Sequence, residues 1–146
     1  MENCTYNHQF LCKLLGIGAN HAIIEGAFKT QEIIQNITEL VRYMYDPRKG
    51  IILLEEEFKA VKNYIHIHTM RGMNSTITAE KSENGGTGRY IRHLSVLSPI
   101  IEDIEEKSNS YEEGMEVKYV LECRESEIVL TRNPGNVRIA AIKPEN

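Results

Sequence analysis

The 146-residue chain has an ordinary globular composition, with 41% hydrophobic and 26% charged residues and a net charge of −4. Its length suits one domain, or one compact domain with a helical arm. The lack of a basic surplus argues against nucleic acid as the main partner. Three cysteines without paired spacing favour a reducing, cytoplasmic compartment over a disulfide framework. No apolar run reaches membrane-spanning length, so we expect this chain itself to make no membrane contact.

The first third of the chain predicts two helices. Apolar residues recur at helical spacing over 5–24, where Gly16 and Gly18 weaken the pattern, and again over 28–45. Gly26 predicts a break between them, and a turn is expected at 46–50. A short loop makes the two helices antiparallel, so their apolar stripes are expected to bury against each other or against a second copy.

The central helix is predicted over 54–73. Leu54, Phe58, Val61 and Ile65 lie on one apolar face, and three glutamates occupy the first turn, where the positive end of the helix favours them. Gly72 is expected to end this helix.

The remainder predicts a small sheet with one helix. Alternating or β-branched runs indicate strands, a polar glycine-rich run indicates a loop, and a helical period indicates a helix. In that helix Pro99 either takes the first position after a Ser98 N-cap or kinks a longer helix. In chain order we expect a strand at 76–81, a loop at 82–88, a helix at 94–108, a hairpin of 117–123 with 128–131, a turn at 133–136 and a strand at 137–142. Helices followed by a sheet with one helix define an α+β fold.

One long run carries a family resemblance. Residues 54–71 read LEEEFKAVKNYIHIHTMR, which resembles the LEEEL and VxNYLxIxxxR pattern of LytS-type sensor histidine kinases, of the GHKL ATPase superfamily. Residues 40–43, LVRY, are similar to the LLRY of that family. The resemblance implies a helical phosphoacceptor or dimerisation-like region at 1–50. It implies at 51–146 the central helix and a truncated ATPase-like domain, a reduced α/β sandwich with a small, mostly antiparallel sheet and helices on one face.

The resemblance places a glutamine where the phosphoacceptor histidine belongs. The family motif NPHFLFN corresponds to NHQFLCK at 7–13, so that Gln9 takes the histidine position. A carboxamide nitrogen is a poor nucleophile because its lone pair is delocalised. His8 is adjacent, but one residue along a helix turns the side chain by about 100°. His8 is therefore either a displaced phosphoacceptor or a surface histidine.

The same resemblance points to a candidate nucleotide site. Residues 97–104, LSPIIEDI, are similar to the family segment LQPLVENA, whose Asn holds Mg²⁺ on ATP. Asp103 takes the Asn position next to Glu102, and Lys107 stands near the place of the phosphate-balancing Lys. A carboxylate can ligate Mg²⁺, but the acidic surroundings oppose a nucleotide. The alternative is a solvated acidic helix face.

The glycine motifs of the family are reduced. Asn133 and Gly135 fall at the adenine-binding Asp-Asn-Gly, and no glycine follows Gly135 to form an ATP lid. Close backbone approach to the phosphates therefore has no evident provider.

A different chemistry is possible at the N-terminus. Cys4, His8 and Cys12 are four residues apart and share one helix face. Two thiolates and an imidazole suit Zn²⁺, with the fourth ligand from elsewhere or from a dimer mate.

These observations leave three hypotheses. The first is a sensor histidine kinase-like domain of two-component signalling, catalytically degenerate and without a cofactor, that forms a homodimer and binds a protein partner such as a kinase or response regulator. The second is an active histidine kinase fragment that uses ATP and Mg²⁺. The third is a small zinc-binding regulatory protein. The family resemblance also allows a cytoplasmic piece of a membrane-anchored sensor.

Overall fold

The computed structural model describes residues 4–46, 50–70, 75–82 and 88–145, with the side chains of residues 4–8 outside that description. It divides into two compact units, Met1–Arg48 and Lys49–Asn146. The first unit is a hairpin of helices α1 (Cys4–Ile24) and α2 (Phe28–Met44). Both predicted N-terminal helices are thus confirmed.

A glycine turn separates α1 from α2. Gly26 has φ +74°, in the left-handed region that favours glycine. The Ala27 N–H donates to the Ala22 carbonyl at 2.8 Å, and the Gly26 N–H donates to the Ile23 carbonyl at 3.0 Å. This pair of bonds is a Schellman motif, which satisfies the last carbonyls of α1 and ends the helix.

The second unit holds the sheet and the other helices. In chain order its elements are β1 (Ile51–Leu53), α3 (Leu54–Met70), β2 (Thr76–Ser82), β3 (Tyr90–Arg92), α4 (Leu97–Lys107), a 3-10 turn (Ser108–Ser110), β4 (Glu116–Cys123), β5 (Ile128–Asn133) and β6 (Val137–Ile142). The α+β class is confirmed. Strands β1 and β3 were not predicted, because three residues are too few to show an alternating pattern.

The strands form two sheets. Strands β1 and β3 pair antiparallel, and the larger sheet has the order β2-β4-β5-β6. Strand β2 pairs parallel with β4, whereas β4–β5 and β5–β6 are antiparallel. The parallel pair requires a crossover, and α4 lies in the connection between its two strands.

The core of the second unit lies where helices α3 and α4 cover the larger sheet. Alternate residues of β4 are buried while the intervening ones are exposed or half-buried, as expected of a strand with one covered face. The buried core side chains include Leu54, Val61 and Ile65 on α3, Leu97, Ile100 and Ile104 on α4, and Val117, Tyr119, Leu121, Cys123, Ile128 and Leu130 on β4 and β5.

The start of α4 corrects one expectation. Of the two alternatives for Pro99, the one with Ser98 as N-cap is wrong, because Val96 is the N-cap and makes no side-chain capping bond. Pro99 lies in the first turn, where a missing N–H costs nothing because those N–H groups have no partner within the helix.

Three other expectations fall wholly or partly on undescribed residues. Helix α3 is described to Met70, so its expected end at Gly72 lies outside the described residues. Positions 47–49 of the turn expected at 46–50 and positions 83–87 of the loop expected at 82–88 also lie outside them. In the described part of the chain, no helix has the length and apolar character needed to cross a membrane.

Candidate functional site

A buried carboxylate on α3 holds the start of α4. The Glu57 side chain is fully buried. Its Oε1 accepts from the Leu94 N–H at 3.1 Å, and its Oε2 accepts from the Val96 and Leu97 N–H groups at 2.9 Å each. A negative charge at a helix N-terminus satisfies otherwise unpaired N–H groups and complements the helix dipole. The capping group of α4 therefore comes from another helix.

Sequence reasoning assigned Glu57 only to the acidic first turn of α3. It lies three residues after Leu54 and four before Val61, both of which are buried. A charged residue within an apolar stripe was the available signal, since buried charges are almost always paired.

Asp103, the candidate Mg²⁺ ligand, lies in a compact ion-pair cluster. Nη1 of Arg132 is 2.5 Å from Oδ1 and 2.7 Å from Oδ2 of Asp103, and the Tyr119 hydroxyl donates to Oδ2 at 2.5 Å. The side chains of Asp103 and Arg132 are only 10% and 15% exposed. The cluster joins α4 to β4 and β5.

Strand geometry explains how this cluster forms. Tyr119 on β4 pairs in register with Arg132 on β5, so both side chains point to the face that α4 covers. Hydrogen bonding to Asp103 raises the pKa of the Arg132 guanidinium in spite of its burial. Burial, followed by the hydrogen bond to Asp103, raises the pKa of the Tyr119 phenol well above its usual range. Both groups therefore remain donors.

Asn133, the candidate adenine contact, lies on the other face of the sheet. It follows Arg132 in β5 and pairs with the exposed Lys118 of β4. Successive strand residues point to opposite faces. Asn133 lines a cavity of about 380 Å³ together with Thr78 and Lys118. The structure therefore does not bring Asn133 and Asp103 together.

Gly135 belongs to the turn between β5 and β6. Its φ of +98° is one that side chains rarely adopt, and the residue is exposed. The turn alone accounts for a glycine at this position.

The other acidic residues of α4 point in several directions. Glu102 is exposed. Oε1 of Glu105 accepts from the Tyr64 hydroxyl at 2.7 Å and lies 3.8 Å from Nε2 of the buried His68. Oε1 of Glu106 lies 3.5 Å from the Nζ of Lys107, and their side chains are 71% and 43% exposed. The candidate Lys107 thus contacts a neighbouring carboxylate on the protein surface.

The N-terminal candidates lie on α1. Gln9 is exposed and Cys12 is partly exposed, and both line a recess of about 320 Å³ with Lys13 and Arg42. The side chains of Cys4 and His8, which the zinc and phosphoacceptor hypotheses need, lie outside the described residues. Among the side chains that are described, no group of three His, Cys, Asp or Glu residues is placed to hold a metal ion.

The chain order of a helical hairpin followed by a sheet unit with helices agrees with what the resemblance to histidine kinases implied. A comparison with protein-family models supports that class: the model described as "Histidine kinase" matches residues 5–77, which is half of the chain. The chain therefore belongs to the histidine kinase family and is a histidine kinase-like domain of signal transduction.

The matched region ends at the second residue of β2. It covers α1, α2, β1, α3 and the first residues of β2, and it leaves out Asp103, Arg132 and Asn133. A search of curated proteins found no match. The family assignment thus rests on α1, α2 and α3 with the short strand between α2 and α3. The candidate nucleotide site has to be judged from its own geometry.

Proposed function

We propose that this chain is a signalling module of the LytS-type lineage that keeps the scaffold of a histidine kinase without its catalysis. It acts as a homodimer and through contact with a protein partner such as a kinase or response regulator. The observation that carries the proposal is the engagement of the Asp103 carboxylate by Arg132 and Tyr119.

A magnesium ion at Asp103 would compete with a guanidinium. A carboxylate offers about four lone-pair positions, and three hydrogen bonds from Arg132 and Tyr119 already use Oδ1 and Oδ2 of Asp103. Removing one partner of a largely buried ion pair leaves an uncompensated charge. Displacement of Arg132 by the metal is therefore unfavourable, and this supports a loss of nucleotide binding at Asp103.

The geometry of β5 supports the same conclusion. A bound nucleotide has to reach from its metal ion to its base on one side of the protein. Asp103 contacts Arg132 on the face of the sheet that α4 covers, whereas Asn133 lies on the opposite face. This separation supports the loss of a nucleotide site that uses both residues.

Nucleotide binding tests the loss of catalysis. We expect isothermal titration with Mg-ATP, at concentrations up to about 1 mM, to show no saturable heat and thermal unfolding to show no shift. A ligand at 100 times its dissociation constant would stabilise the fold by about 2.7 kcal/mol. Micromolar binding would contradict the proposal. So would an acid-labile label from labelled ATP that disappears in His8→Ala, since this result would make His8 a phosphoacceptor.

Exposed apolar side chains on the first unit, the hairpin of α1 and α2 (hereafter the helical unit), support the homodimer. Its helices leave large apolar side chains exposed, and α2 has no buried residue among those described. The exposed fractions are 53% for Phe10, 48% for Leu14 and 59% for Ile17, which follow one another at helical spacing along α1. A contiguous apolar stripe of this kind marks an interaction surface. A second hairpin that packs against it would complete a four-helix bundle.

Substitution of Ile17 tests the dimer. We expect sedimentation equilibrium to give a dimer for the wild-type chain and a monomer for Ile17→Glu, because the charge would be buried without a partner in the interface. Val137→Glu is the matched control, since Val137 is 41% exposed on β6 in the second unit. A monomeric wild type at about 100 μM, or an Ile17→Glu variant that remains dimeric, would rule out α1 as the dimer surface.

A further inference from the structure

Two cationic side chains from different helices share one recess in the helical unit. Gln9, Cys12 and Lys13 line it from α1, and Arg42 lines it from α2. The spacings i, i+3 and i+4 place the three α1 residues on one helix face. The recess has a volume of about 320 Å³, which admits a small organic anion.

Neither cation has a partner within the described part of the chain. Among the described side chains, no ion pair includes Lys13 or Arg42, although the carboxylates of Glu39 and Asp46 lie within one turn of Arg42 on the chain. Two like charges facing one recess repel each other, and a bound anion would relieve that repulsion.

The donor groups specify the chemical class of the anion. The guanidinium of Arg42 is a planar fork that matches two oxygens of one anion. The ammonium of Lys13 supplies a second positive charge, and the Gln9 amide supplies a neutral N–H donor. Two charges and several donors suit a dianion with several oxygens better than chloride.

We propose that the recess lined by Gln9, Lys13 and Arg42 binds a phosphate-class dianion. The proposal goes beyond the function proposed above and does not depend on it, since all of its residues lie in the helical unit and no nucleotide is involved. It gives the helical unit a ligand to which a signalling domain can respond.

Titration of the full chain with inorganic phosphate tests the site, with sodium chloride at matched ionic strength as the reference. We expect saturable nuclear magnetic resonance shifts at the Gln9 side-chain amide and at the backbone amides of Lys13 and Arg42. Lys13→Gln and Arg42→Gln should each raise the apparent dissociation constant about tenfold, the effect of losing one charge-assisted bond. Both residues are exposed, so these variants are expected to fold.

Lys29→Gln is the matched control, because Lys29 is an exposed lysine at the opposite end of α2. It should leave phosphate binding unchanged. Shifts that grow linearly without saturation, shifts that chloride reproduces, or equal affinity in the Arg42→Gln and Lys29→Gln variants would show general charge screening and overturn the proposal.

Discussion

Glu57→Ala is expected to lower the free energy of unfolding of the second unit by about 3 kcal/mol. The substitution removes the acceptor of three backbone N–H groups, those of Leu94, Val96 and Leu97, at a fully buried position. A buried N–H without a partner carries its full desolvation cost. Urea unfolding gives the change in midpoint, and amide hydrogen exchange at Leu97 should accelerate because α4 loses its cap.

Two variants separate capping from general helix effects. Glu56→Ala changes an exposed glutamate in the same turn of α3 and should shift stability by no more than about 0.5 kcal/mol. Glu57→Gln keeps the size of the side chain but turns one acceptor oxygen into a donor that faces N–H groups. It should fall between the two alanine variants. A Glu57→Ala protein as stable as Glu56→Ala would show that the cap is dispensable.

Arg132→Ala is expected to lower the free energy of unfolding of the second unit by a similar amount, about 3 kcal/mol. The Asp103 side chain, only 10% exposed, would lose the guanidinium that contacts both of its oxygens. Most of this cost comes from leaving a largely buried charged group without its partner. The measurement is again urea unfolding. We expect the midpoint to fall while the slope of the unfolding free energy against urea concentration stays that of the wild type.

Arg138→Ala is the control for Arg132. Arg138 lies on β6; its side chain is 56% exposed, and its Nη2 lies 3.5 Å from Oε1 of Glu127. Exposed pairs of this kind contribute about 0–1 kcal/mol. A double-mutant cycle with Asp103→Ala isolates the pair, and we expect a coupling above about 1 kcal/mol. Equal effects of Arg132→Ala and Arg138→Ala would mean that the Asp103 cluster does not stabilise the fold.

Candidate-site positions could be found from the sequence, but their partners could not. The resemblance pointed to Asp103 and Asn133. Nothing in their local sequence showed that Asn133 points to the face of the sheet opposite the one on which Asp103 contacts Arg132. Arg132 follows Ile128 and Leu130 at alternate positions, so an inward-facing arginine was detectable. Its carboxylate partner lies 29 residues earlier. Contacts over such distances depend on how α4 packs against the sheet.

The sequence by itself determined the α+β class, both helices of the hairpin, α3, and the alternation of β4, because burial of one face imposes a period of 3.6 or 2 on the apolar residues. It also carried the family resemblance along α3. Only the tertiary structure decided that Glu57 caps α4 and that Asp103 pairs with Arg132 and Tyr119. A buried carboxylate must be satisfied by whichever donors packing brings to it, and those donors come from other elements of the fold.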